Sequence, residues 1–408
     1  MQLGIPSLHA FSPAARKQLW LYWLYQFTSN LHLFGAVLIP FFTITKGLTL
    51  FEVQLLQGWF MGCWMVLEVP TGAVADYLGR KYSLALGSLT LVFAVAVYFF
   101  GTSMLAFMLA ELLFGAAKAL VSGANEAWLY DTLQDEGQEK SAVKHMGFAQ
   151  SVLLLGVLVG GPLGSVLAGA TSLAMPILIS GGFFLIASIV AMKLREPKRH
   201  SAQKETLRFW QLFISGARLL KHDAYIRELA IENAIVAASA YFVIWFYQPL
   251  LMEQNVAVFW FGWFWSGVLL LEMLVSANFE RLEKVSLRFG SYRLLSLLLV
   301  ALGYAAAVFW QSLSGIVIMS ILVGGFGLTR MTYAQTLIHH RLDSSNRATV
   351  ISTIAMLRQL LLLVLNPLVG YMASQSLRGA LVFVGLLPLA YFAYSKIAVN
   401  QRREYVTK

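Results

Sequence analysis

Cysteine is almost absent: Cys63 stands alone, which excludes a disulfide framework and any thiolate-built metal centre. Charge is scarce too. Asp, Glu, Lys and Arg make up 12% of the chain against 58% hydrophobic residues, whereas a soluble globular domain carries about a quarter charged. A soluble fold is therefore excluded. Acidic residues are the scarcer sign, and the net charge is +10, yet the surplus is not laid out as a face for nucleic acid. Of the 30 lysines and arginines, all but five fall at one end of the long apolar runs. Lys46 and Arg378 lie at the other end, and Lys118, Arg330 and Arg358 lie inside runs. This is the positive-inside bias of a polytopic membrane protein, and it places both termini in the cytoplasm and the chain in the cell (inner) membrane. The start lacks a basic leader and the first apolar run is too long for a signal h-region, so no cleavable signal is expected.

What is present is a series of runs near the ~20 apolar residues that cross a bilayer. They cover residues 19–44, 50–75, 82–101, 104–130, 144–169, 172–193, 226–251, 257–279, 289–311, 314–337, 348–374 and 377–399. The predicted fold is all-α, with twelve spans in two six-helix bundles. A cytoplasmic N-terminus (1–18), in which Ser12-Pro13 is a helix start, precedes the first bundle (19–193). A basic cytoplasmic loop (194–225) carries helical spacing over 206–220 and reads as an amphipathic tether. The second bundle (226–399) and a short cytoplasmic tail (400–408) follow.

The loop between the second and third runs reads Gly72-Ala-Val-Ala-Asp76-Tyr-Leu-Gly79-Arg80-Lys81. A charged reversal this short, pinned between two spans, must sit at a membrane surface, and its glycines permit the tight turn. Asp76 ends one helix, while Arg80 and Lys81 face the anionic leaflet. The pattern G-x-x-x-D-x-x-G-R-K resembles the loop between helices 2 and 3 of the major facilitator superfamily of secondary transporters. The runs Glu68-Val-Pro-Thr-Gly72, Ser122 to Asp131 and Asn346 to Ser352 resemble a bacterial branch of it. The resemblance implies two bundles about a pseudo-two-fold, alternating access around a central cavity lined by helices 1, 4, 7 and 10, a small-molecule substrate, protons, no cofactor and a monomer. An internal repeat agrees with two halves: Glu68 to Asp76 aligns with Glu272 to Glu280, and Gly115, Glu126 and Asp131 fall opposite Gly324, Gln335 and His340.

Intramembrane polar residues mark the candidate cavity. Span 1 offers Gln26, Asn30 and His32. On span 4, Glu111, Lys118 and Glu126 share one helical stripe. Arg330, Arg358 and Lys118 suit an anionic group; equally, they neutralise Glu68, Glu111, Glu126 and Glu272. Tyr241 and Trp245 on span 7 supply a ligand surface or a lipid belt. Glu126 is expected near Arg330 at an inner gate, Asp76 at the start of helix 11 near Arg347, and Glu68 near Arg358. Gly156, Gly160, Gly161-Pro162 and Gly164 on span 5 read as close helix packing, and resemble a degraded glycine-proline motif of drug:proton antiporters. Glu111 stands where proton-coupled members carry arginine. The leading reading is proton-coupled export of an amphipathic or anionic compound, with uptake of an organic anion as the alternative. A transporter-like receptor and a transferase holding magnesium between Asp131 and Asp135 are remoter classes. For the transferase, the second-half loop offers only His339, His340 and Asp343 opposite.

Overall fold

A computed structural model describes residues 6–198, 218, 221, 224–286, 292–330, 332–334 and 344–406. Among them there are helices and no strand. The tether expected over 206–220 lies outside the described residues apart from Arg218, as do His339, His340, Asp343 and the side chains of Asp76 and Arg347. Among the described residues, ten helices are long and apolar enough to cross a membrane, and Leu294–Phe309 is a shorter apolar helix. These take up every predicted span except the first.

The first predicted span, 19–44, is not one helix. Helix α1 (Pro13–Ser29) starts as its sequence dictates, with the Ser12 hydroxyl accepting from the Ala15 N–H at 3.2 Å and proline in the first turn. It stops at Asn30, whose Nδ2 turns back onto the Gln26 carbonyl at 2.9 Å. Residues 30–37 are non-helical; helix resumes over Leu38–Pro40 and ends in a π-helical turn, Phe41–Thr45. Backbone freed inside a span needs new partners, and the Leu33 N–H finds the Ser180 hydroxyl at 2.9 Å.

The chain divides into two compact units. The first comprises residues 1–47, 56–211 and 257–266. It holds α1, most of α2 (Leu50–Leu78), α3 (Arg80–Phe100), α4 (Met104–Asp135), α5 (Ala142–Ala170) and α6 (Met175–Met192). A single residue, Gly79 at φ +114°, separates α2 from α3. The opening N–H groups of α3, at Arg80 and Lys81, donate to the Glu196 carboxylate at 2.7 and 3.0 Å, an anion at a helix's positive end. A Cβ on Gly79 would lie 2.8 Å from that carboxyl carbon. Arg80 does not turn to a lipid surface: its guanidinium pairs with Asp131 and donates to the Ala127 carbonyl, drawn in by the carboxylate on α4. At the far end of α3, Lys46 Nζ donates to the carbonyls of Phe99 and Gly101, both at 2.8 Å. Partial burial pulls that ammonium below the ordinary lysine range.

The second unit comprises residues 48–55, 212–256 and 267–408. Its helices are α7 (Ala224–Tyr241), α8 (Val243–Glu253), most of α9 (Phe261–Ala277), α10 (Phe279–Ser286), α11 (Tyr292–Phe309), α12 (Leu313–Met319), α13 (Ser344–Gln375) and α14 (Leu377–Val406). Helix α12 runs on as a π-helix, Ser320–Gly327. Hydroxyl-to-carbonyl bonds tie the bundle together: Ser239 Oγ to Val384 O at 2.7 Å, Tyr304 Oη to Ser239 O at 2.6 Å, and Tyr391 Oη to Glu228 O at 3.0 Å.

Candidate functional site

The break in α1 explains the glycines of α5. A Cβ on Gly164 would overlap the Leu33 carbonyl; one on Gly156 would lie 2.7 Å from the Phe27 carbonyl, and one on Gly160 3.0 Å from that of His32. The stripe accepts the last turn of α1 and the unwound segment that follows it. Gly161, on the next face, meets the Gly262 backbone at the start of α9. With 30–37 pressed against α5, the space it vacates opens between α1, α2, α3, α4 and α6 as a cavity of about 420 Å³ inside the first unit.

Gln26, Asn30, His32, Glu111, Lys118 and Glu126 all line this cavity. The α4 stripe is there because Gly115 lets α4 approach α2, where a Cβ would lie 3.0 Å from that of Cys63. That approach brings Gln57 Nε2 to 2.7 Å from Glu111 Oε1. The Tyr98 hydroxyl donates to the same oxygen, and Glu111 is 2% exposed. Glu111 forms no ion pair among the described residues. Lys118 Nζ stands 5.7 Å from the centre of the Trp64 ring, in electrostatic reach of Glu68. Glu68 Oε1 accepts from the Ser122 hydroxyl at 3.3 Å. Further along α4, the Tyr22 hydroxyl bonds Asn125 Oδ1 at 3.1 Å and takes the Gln26 amide at 3.0 Å, and the Tyr22 ring stacks on Trp128 at 4.9 Å.

Gly72 lies on α2 in the first unit, whereas Tyr241, Trp245, Glu272, Arg330 and Arg358 belong to the second. Arg330, read toward Glu126 or an anionic ligand, is 1% exposed, and its guanidinium pairs with Glu232 and donates to the Ser296 hydroxyl at 3.1 Å. Glu232 is not among the carboxylates that its sequence position sets against Arg330. A fully buried guanidinium needs a buried counter-charge, and α7 supplies it. Arg358 has Tyr241 as its electrostatic neighbour, and the Tyr241 and Trp245 rings stand 6.1 Å apart. Glu272 is half-buried on α9. Gln57, Tyr98 and Tyr25 also line the cavity, and sequence reasoning missed all three. Neutral polar residues and tyrosines are common in spans, and only the crossings of α2, α3 and α4 reveal which of them meet Glu111. The two aspartates of the transferase reading serve separate partners: Asp131 holds Arg80, and Asp135 accepts the Lys198 N–H at 2.9 Å.

A profile described as Major Facilitator Superfamily matches residues 19–365. An uncharacterized MFS-type transporter of Methanocaldococcus jannaschii is 25% identical over 182 residues, 44% of this chain and 46% of the relative. The vesicular acetylcholine transporter unc-17 of Caenorhabditis elegans is 26% identical over 172 residues, 40% of this chain and 32% of the relative. The matches thus span less than half of either curated relative. A solved bacterial homologue of the human lysosomal transporter Spinster superposes with a TM-score of 0.75 at 16% identity, over 96% of this chain and 98% of that one. The nucleoside transporter NupG gives 0.72 at 14%, over 94% and 99%. At such identities the structures speak for the fold alone.

Proposed function

The chain belongs to the major facilitator superfamily, and from that premise we propose that it is a proton-coupled exporter of a small amphipathic compound. It works as a monomer in the inner membrane, with both termini cytoplasmic and transport by alternating access. The observation that carries proton coupling is Glu111. A carboxyl group buried in a span is costly as an unpaired charge and marks a substrate or proton path; here its hydrogen bonds come from two neutral donors on the cavity wall. Export, rather than uptake, rests on the resemblance of the α5 glycine-proline run to drug:proton antiporters. The organic-anion reading loses support because Arg330 is committed to Glu232 and Lys118 sits beside Glu68.

Proteoliposomes loaded with a pH-sensitive dye and energised by a pH gradient test the reading. Amphipathic compounds are expected to move protons down the gradient through the wild-type protein. Glu111→Gln is expected to abolish that movement, a loss of at least tenfold, without loss of membrane insertion. Transport that persists after a protonophore collapses the gradient, or proton movement unchanged in E111Q, would count against coupling at Glu111.

A further inference from the structure

We infer that the ligand of this cavity is an amphipathic organic cation, an amine or quaternary ammonium on an apolar body, with its positive group at Glu111. The inference rests on the transporter reading above and goes beyond it by naming the ligand's charge. Gln57 and Tyr98 both donate to Oε1 of Glu111. This leaves Oε2 as the oxygen without a hydrogen bond among the described residues, on a side chain that lines the cavity. Neither donor brings a charge, so the carboxyl group is held in place without a counter-charge. A buried carboxyl in that condition is neutralised by a proton or by a cation, so a cationic ligand and a proton compete for Glu111.

The walls suit the rest of such a ligand. The Tyr98 and Phe114 rings stand 5.0 Å apart, Phe34 is 6.0 Å from Phe114, and Phe184 is 6.5 Å from Phe34; all four line the cavity. Aromatic faces attract a desolvated cation and accept an apolar body equally well. Lining charges favour the same sign. Glu111 and Glu126 face one ammonium, Lys118, which lies two turns along α4 from Glu111, about 10 Å by helix rise. Lys118 has Glu68 in electrostatic reach, so an anion drawn to it would have to compete with a carboxylate. A cavity of about 420 Å³ falls at the small end of ligand sites, which run from about 300 to 1,000 Å³.

The test is saturable binding to the purified full-length protein in detergent. The cationic probes are benzyltrimethylammonium and tetraphenylphosphonium, and phenylacetate is the anion of like size. At least one cation is expected to bind more tightly than phenylacetate, with affinity reduced at least tenfold in Glu111→Gln and several-fold in Phe114→Leu. The second variant keeps the test alive should the first fail to fold. No saturable binding by either cation, tighter binding of phenylacetate, or cation affinity unchanged in these variants would overturn the inference. Flux is scored separately in proteoliposomes. Proton-driven flux of an uncharged or anionic solute, indifferent to E111Q, overturns the cation site and leaves the transporter reading standing. Cation binding that is lost in E111Q but accompanied by no flux keeps the site and removes the transport reading.

Discussion

Arg330 and Glu111 are buried ionisable groups with opposite solutions to the same problem. Arg330 has its counter-charge in Glu232 and a further acceptor in Ser296, so its charge holds α7, α11 and the turn after the π-helical segment in register. Removing one member of such a pair costs about 3–5 kcal/mol, because the other charge stays buried, whereas replacing both by apolar groups is often neutral. Glu232→Gln is therefore expected to lower the midpoint of thermal unfolding in detergent sharply, and E232Q combined with Arg330→Met to recover most of the loss. A single variant as stable as the wild type would show that the pair adds nothing. Residue types on the predicted spans were enough to single out Arg330, but its partner was not legible. Glu232 lies in the first turns of its predicted span, where an acid reads as a surface group until the packing of α7 shows it buried.

At the scale of the element, the unwound stretch of the first helix and the glycine stripe of α5 are one feature seen from two sides. The stripe at Gly156, Gly160 and Gly164 was legible in the sequence. What it received was not, because the unwound backbone after Asn30 is satisfied by Ser180, more than a hundred residues away. Gly164→Ala must push the Leu33 carbonyl aside, and overpacking of this kind costs about 1–3 kcal/mol. Gly182 on α6 is the contrast: a Cβ there meets nothing within 4 Å, and alanine in a helix gains about 0.5–1 kcal/mol over glycine. Thermal unfolding of the two variants should separate them, with G164A less stable than the wild type and G182A equal to it or better. Equal midpoints for both would mean that the α1 turn has room the backbone contacts deny.

Across the whole molecule, hydropathy made most of the architecture legible. Runs bounded by charged turns predict eleven helices that the structure contains, since a bilayer leaves a chain few ways to satisfy its backbone. The stripe of charged residues on the fourth span also directed attention to α4, whose Glu111, Lys118 and Glu126 line the cavity. Sequence did not disclose the environment of each charge. Spacing along one helix says which residues share a face, whereas whether a carboxyl meets an arginine, as Glu232 does, or only an amide and a phenol, as Glu111 does, is decided by crossings between helices.

The interruption of the first span has a consequence for how the protein is made. Pro13–Ser29 is not among the helices apolar enough to cross a membrane, and the apolar residues after it are not continuous with it as helix. Buried Tyr22, Trp23 and Gln26 gain their surroundings from α4, α5 and α6, all synthesised later. The emerging N-terminal segment is thus poorly suited to lipid by itself, and its stable integration is expected to await the later helices of its unit. A single cysteine placed at Leu19, which is fully buried and lines no part of the cavity, in a Cys63→Ser background reports this through a membrane-impermeant thiol reagent. Chains truncated after Phe100 should be labelled, and chains continued through Met192 protected. Equal protection in both would mean that the broken helix enters the bilayer unaided.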